Sequence, residues 1–339
     1  MSAVRDLSPL RSRVRVDTVL PAVALVATLI LFAVTAGITG RSIAPFDAYN
    51  SLQGLAQLGL LALPLGLTMI AGEFDLSVVG VSALGGMLAV QTGQEHPLLG
   101  VAVALLAGAV VGVLQGTVIA KLRLASMPVT IATYIVLLGL TDVISNGLTV
   151  TYTNIDATLW VDEVLLVVFS PRSLITLALF VLIALLLGRT RLGAELRAIG
   201  DDRRAARVSG VRADGLLIGL FVASGMLAAL GGALLSYSYS SANPDPGIAP
   251  LVLAVVAALI GGVSLAGGRG SAWGLLVGTL VVALLSQIVI FATLPGYVTQ
   301  LVFAGFLTIV LIVDAPGIRL RVARAIAQRR ESSRSRGTP

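Results

Sequence analysis

Two carboxylates, Glu73 and Asp75, stand two residues apart in the glycine-rich stretch AGEFDLSVVGVSALGG, residues 71–86. A carboxylate beside an apolar segment can cap a helix, pair with a cation or face water along a path. A second chemical feature is the run RTRLGAELRAIGDDRRAARVSGVRAD, residues 189–214, whose seven arginines can meet acidic protein groups or lipid phosphates. Other chemistry is missing. There is no cysteine, so no disulfide, thiolate metal site or cysteine nucleophile, and His96 is the only histidine. The single lysine, Lys121, lies between Ala120 and Leu122, which excludes a Gly-Lys-[Ser/Thr] phosphate loop. No catalytic residue and no metal ligand is expected.

These groups must be positioned by membrane helices. Of 339 residues, 57% are hydrophobic and 12% charged, and mean hydropathy is +0.99. Ordinary soluble domains hold about 25% charged residues, so a single water-soluble globule is excluded. The apolar runs are continuous, as helices require and barrel strands do not. Ten spans are expected, at residues 19–37, 52–71, 76–90, 98–119, 127–145, 173–188, 215–237, 251–263, 272–291 and 297–314. The fold class is thus an all-α polytopic membrane protein. A cytoplasmic tail (1–18) precedes the membrane domain (19–314), and a basic cytoplasmic tail (315–339) follows it. Alternate connections segregate the basic residues: 21 of 23 fall on one side, leaving only Arg41 and Arg172 on the other, which puts both termini in the cytoplasm. The first span is too long for an ordinary signal-peptide core and is read as retained. The third is short and glycine-bearing, which leaves its continuity open. Glycines such as Gly108 with Gly112 and Gly231 with Gly232 suit close helix packing in lipid. The membrane accounts for the arginines, and no nucleic-acid partner is expected.

The 189–214 connection contains a helix signal. Asp201 is expected to cap it, Asp202 places charge in its first turn and Gly210 stops it in the left-handed conformation. Asp202, Ala205, Ala206 and Ser209 would share one arc, opposite Arg203, Arg204 and Arg207. The small-residue face could seat in a protein groove. The plain alternative is a basic loop lying on the membrane.

The stretch at 71–86 resembles IGGVSLAGGRGSAWG at 260–274. At an offset of 189, Gly72, Leu76, Ser82, Ala83 and Gly85 match Gly261, Leu265, Ser271, Ala272 and Gly274. Glycine-interrupted segments at corresponding places in two halves point to a transport path, because irregular backbone at membrane depth must line a cavity or be buried in protein. Gly72, Asp75, Ser77, Gly261, Gly262 and Ser264 are therefore the candidate path or gate residues. Asp75 could equally well only cap the third span. The outward connection 146–172 includes a short apolar stretch, Val164 to Phe169, and could be an interfacial helix anchored by Trp160, with Asp156, Asp162 and Glu163 solvated. Asn243-Pro244-Asp245-Pro246-Gly247 reads as a rigid turn.

The stretches GEFDLSVVGVSALGG, GAELRAIGDDRRAARVSGV and AALIGGVSLAGGRGSAWGLLVGTLVVALL resemble the membrane permease subunits of bacterial ABC importers for sugars and autoinducer-2, in a superfamily shared with branched-chain amino acid and nucleoside permeases. The likeness covers residues 45–314 in three motifs. Glu73 and Phe74 replace the Gly and Ile usual before the Asp-Leu-Ser of that family, and 126–134 reads SMPVTIATY where PPFIATLG is usual. The resemblance implies a plasma-membrane subunit that passes a small polar solute, most simply a monosaccharide. It implies a second permease subunit, an extracytoplasmic solute-binding protein and a separate ATP-binding subunit that holds ATP and Mg. This chain would then need no cofactor and hydrolyse nothing. Within the loop, Asp202, Ala205, Ala206, Arg207, Ser209 and Gly210 would form the coupling helix. The rival is an ion-coupled transporter or channel, which works without an ATPase. For proton relay the spans offer little beyond Asp142, while sodium coupling through backbone carbonyls and a non-transporting scaffold both remain open on composition.

Overall fold

The computed structural model describes residues 8–314. The C-terminal tail and the first seven residues lie outside that range. The chain is helical: α1 (Ser8–Ile38), α2 (Pro45–Ile70), α3 (Val78–Thr92), α4 (Pro97–Lys121), α5 (Ser126–Ser145), α6 (Ile155–Val161), α7 (Pro171–Arg189), α8 (Arg191–Asp201), α9 (Arg203–Val208), α10 (Ala213–Ser238), α11 (Ala249–Ile260), α12 (Ala272–Phe291) and α13 (Gly296–Asp314). The strands β1 (Val150–Thr151) and β2 (Ser241–Ala242) pair antiparallel. Each expected span corresponds to a helix within a few residues, except that α1 already begins at Ser8 and α2 at Pro45, seven residues before the expected start. Seven of these helices, among the described residues, are long and apolar enough to cross a bilayer. The helix α13 belongs to a separate unit beginning at Pro295 and is described by itself.

The helix α2 sits at the centre of the first unit, packed by α7, α10, α11 and α12. Beside it, α10 packs on α3 and α4 through small residues: a Cβ on Gly225 would lie 2.1 Å from the Gly108 carbonyl, and one on Gly112 would lie 2.3 Å from the Phe221 carbonyl. Gly232 meets the Ser82 carbonyl in the same way. Such contacts let helices approach closely where lipid supplies no hydrophobic drive. They also settle the continuity of the third span. α3 is one unbroken helix whose glycines seat other backbones, and twelve of its fifteen residues are buried. Its mere 15 residues, about 22 Å of helix, are shielded by protein on nearly every side.

At the end of the bundle where α2 and α7 begin, β1 and β2 form a short two-stranded pair. Below them Tyr152 stacks on Tyr237 with centroids 4.4 Å apart, and Tyr237 Oη donates to the Pro97 carbonyl at 2.8 Å. Asn243 and Asp245 accept from the amides of Asp245 and Gly247, giving the expected turn. In the 146–172 connection α6 carries Trp160, while residues 164–169 form a turn closed by the Leu165 and Phe169 bridge. Asp162 is not merely solvated, since it pairs with Arg172 at 3.0 Å.

Candidate functional site: the glycine junction and the coupling helix

The helices α2 and α11 stop in the same way. The amides of Gly72 and Glu73 donate to the carbonyls of Met69 and Thr68, and those of Gly262 and Val263 to Leu259 and Ala258. Gly72 and Gly262 have φ of +77° and +81°. This is a left-handed glycine stop used twice. It pairs Gly72 with Gly262, an offset of 190 at the turn, which corrects the register of 189 suggested by the residue identities. The loop after α11 is the longer, so later positions drift apart.

The two loops meet. The Gly268 amide donates to the Ile70 carbonyl at 2.9 Å, and a Cβ on Gly267 would lie 2.6 Å from Gly72 Cα and 2.7 Å from the Gly200 carbonyl. Gly200, in the last turn of α8, completes the contact: a Cβ there would fall 2.2 Å from the Ile70 carbonyl and 2.4 Å from the Gly268 amide. Side chains are thus excluded from a junction of three segments, and the connection 189–214 is seated on both gate candidates at once. The signal for Gly200 was available as an isolated glycine within a helical pattern. α8 itself reads as loop from sequence, because its charged, amphipathic residues suit a positive-inside connection.

Other expected site residues lie elsewhere. Gly261 packs α11 on α12 against Gly274. Ser264 Oγ accepts from Arg269 Nη2 at 3.1 Å and so closes its own loop. Asp75 and Ser77 are fully buried. Asp75 Oδ1 accepts from Ser77 Oγ at 2.5 Å and from the Ser77 amide at 3.1 Å, while Oδ2 accepts from Ser224 Oγ at 2.6 Å and Gln115 Nε2 at 3.3 Å. It therefore ties the start of α3 to α4 and α10, which neither a simple cap nor a water-facing carboxylate would do. A buried donor left without an acceptor costs about 1–3 kcal/mol. Asp75→Ala should accordingly lower the melting temperature of the detergent-solubilised protein by several degrees, with Asp75→Asn intermediate; an unchanged melting temperature in Asp75→Ala would remove this role.

In α9 the cap is Asp202, whose Oδ1 accepts from the Arg204 and Ala205 amides at 2.8 and 3.0 Å. Asp201 was expected there. Because α8 runs through Asp201, the extended residue between the two helices is Asp202. Gly210 follows in the expected left-handed conformation, with φ +89°. The faces also need correction. Ala206 is buried in this chain, and Arg203 and Arg207 turn inward, whereas Asp202, Arg204, Ala205, Val208 and Ser209 are exposed. The reason is charge pairing. Arg207 bonds Asp214, and Arg203 reaches Asp214 at 3.2 Å, Glu73 at 3.3 Å and the Ala120 carbonyl at 3.1 Å. Burial pushes the Glu73 carboxyl above its ordinary range, opposed by a hydrogen bond from Ser126 and by the charge of Arg203. Glu73 and Arg203 thus make a second link from the connection 189–214 to the α2–α3 loop.

This arrangement can pass a force applied at the exposed face of α9 to two glycine stops inside the helix bundle. A family described as the branched-chain amino acid transport system permease component matches residues 48–312. The chain is 30% identical to the ribose import permease protein of Escherichia coli K12 over 298 residues, 86% of this chain and 92% of that protein. It is likewise 30% identical to the fructose import permease protein of Rhizobium meliloti over 276 residues, 78% and 76% of the two chains. Identity to the autoinducer 2 import system permease protein of Yersinia pestis is 29% over 313 residues, 91% and 88%. No solved structure matches.

Proposed function

We infer, since this chain belongs to the permease-component family of branched-chain amino acid transport systems, that it is the translocating subunit of an ATP-driven importer for a monosaccharide or a related small polar solute. Its relatives named for ribose and fructose import favour that solute class. The observation that carries the mechanism is the three-way backbone contact of Gly72, Gly200 and Gly267. A separate ATP-binding subunit, holding ATP and Mg, docks on α9 through Ala205, Val208 and Ser209, of which Val208 is 86% exposed. Asp202 and Gly210 fix the two ends of that helix, while Ala206 and Arg207 fasten it to its own chain. ATP-driven closure moves α8 and α9 as one piece, and Gly200 and Arg203 carry the motion to the paired gate at residues 72–77 and 261–268. Gly262 acts there as the stop of α11, Gly261 and Ser264 as its supports. Asp75 and Ser77 hold the root of α3 against α4 and α10. A second permease subunit and an extracytoplasmic solute-binding protein complete the assembly. The test is whether uptake requires the ATPase: transport by the permease alone would assign it to the ion-coupled class.

The chain lies in the plasma membrane with ten crossings and both tails cytoplasmic, a reading supported by the placement of 21 basic residues on the side of α8 and α9. Single cysteines at Ser8, Thr92, Asp156 and Ser335 of this cysteine-free chain test it. An impermeant thiol reagent on intact cells should label Thr92→Cys and Asp156→Cys and spare the other two. Labelling of Ser8→Cys or Ser335→Cys would overturn the topology.

A further inference from the structure

The described membrane helices present two kinds of exposed surface. On α1, α4 and α5 the exposed large hydrophobic side chains include Ile30, Leu106, Leu114 and Ile135, and Asp142 is exposed in the last turn of α5. α2 differs. From Ser51 onward its one exposed residue is Gln57, twelve residues into the helix and so about 18 Å from its start. Counted from residue 52, where the expected span begins, it lies about 8 Å inside the apolar segment, where an amide facing hydrocarbon is costly. It does not stand alone. Tyr239 Oη, at the end of α10, donates to Gln57 Oε1 at 3.2 Å, and the Tyr239 ring is 58% exposed.

One helical turn nearer the start of α2, Gln53 continues the same stripe. Its Nε2 donates to Tyr49 Oη at 2.6 Å and to Asp162 Oδ1 at 3.1 Å, and its Oε1 accepts from Arg172 Nη2 at 3.0 Å and Ser170 Oγ at 3.1 Å. Asp162 also accepts from Ser238 Oγ. Four elements, α2, α7, α10 and the segment after α6, thereby contribute polar groups to one tract at the end of the bundle remote from α8 and α9. Arg172 is buried, yet its Nε and Nη1 have no acceptor among the described residues. Buried donors are rarely left in that condition, so an ordered water is their natural partner, and the guanidinium fixes the polar floor of the tract while Gln57 and Tyr239 form its open part.

We propose that this tract, with Gln57 and Tyr239 at its inner end, is the extracytoplasmic solute site of the translocation path and takes a neutral polyhydroxylated solute. The chemistry selects that class. Asp162 and Arg172 neutralise each other, so the tract offers no net charge to a carboxylate or an ammonium group. Its amides and hydroxyls both donate and accept, as sugar hydroxyls do, and the open Tyr239 ring offers an apolar surface to the C–H face of a sugar ring. The location follows from the importer reading, since the face opposite the ATPase is the one that receives solute.

The test uses Gln57→Cys and Ile30→Cys in the assembled importer, with its ATPase and binding protein. A small hydrophilic thiosulfonate should modify Gln57→Cys at least about tenfold faster than Ile30→Cys, the contrast between a watered amide position and a lipid-facing one. A transported sugar, from a panel of D-ribose, D-fructose and L-arabinose, should slow that modification. Loss of the Tyr239 hydroxyl and ring in Tyr239→Ala should lower uptake about tenfold, the worth of one or two good contacts, while stimulation of the ATPase by loaded binding protein persists. Equal modification of the two cysteines, or wild-type uptake in Tyr239→Ala, would overturn the site and leave the importer reading intact. Failure of the wild-type complex to carry any of the three sugars would instead strike the solute class, whatever the labelling shows.

Discussion

Gly200→Val should block most solute uptake. The added side chain would place its Cβ 2.2 Å from the Ile70 carbonyl and 2.4 Å from the Gly268 amide. Those two atoms are bonded to each other at 2.9 Å, so neither can retreat without opening the contact between the gate loops. Overpacking of a well-filled site costs about 1–3 kcal/mol even where neighbours are flexible side chains, and here both neighbours are backbone. Uptake in cells carrying the variant, normalised to the protein recovered from membranes, should fall by at least about tenfold, a change of about 1.4 kcal/mol or more. Gly215→Ala is the comparison, since a Cβ there meets nothing within 4 Å and alanine favours the helix. Normal uptake in Gly200→Val would show that the junction is packing and not transmission.

Ala205→Trp separates docking from folding. Ala205 is exposed on α9, whereas its neighbour Ala206 is 4% exposed and faces its own chain. An indole at Ala205 therefore leaves the permease folded and inserted but blocks a closely seated partner. At Ala206 it has no room and should destabilise the coupling segment itself. The expected result is normal membrane level and melting temperature for Ala205→Trp, with loss of ATPase co-purification and of uptake. Ala206→Trp should lower the melting temperature as well. Retained ATPase binding in Ala205→Trp would move the docking surface off α9.

The sequence made the membrane helices legible because uninterrupted apolar runs have few other stable solutions. α12 begins at Ala272 and ends at Phe291, the limits of the apolar run. Gly210 was equally legible, since a left-handed helix stop needs that residue type. What escaped was set by contacts between segments far apart in the chain. Gly200 is uninformative until Ile70 and Gly268 are seen on either side of it. Ala206 and Ala205 are the same residue one position apart, and only the pull of Asp214 and Glu73 on Arg203 and Arg207 decides which of them faces outward. Asp75 looked like a boundary carboxylate because its partners, Gln115 and Ser224, lie 40 and 149 residues away. The polar tract around Gln57 was hidden for a similar reason, since one glutamine in an apolar helix gains meaning only beside Tyr239.

The central claim, that this chain moves solute only when driven by a docked ATPase, is tested most directly in proteoliposomes. The permease is reconstituted with its ATP-binding subunit, with ATP and Mg enclosed and loaded solute-binding protein outside, and uptake of radiolabelled ribose, fructose and arabinose is measured with and without proton and sodium gradients. Uptake should require ATP and the binding protein, stop when the ATP-binding subunit is omitted, and be indifferent to either gradient. Gradient-driven uptake by the permease alone would contradict it.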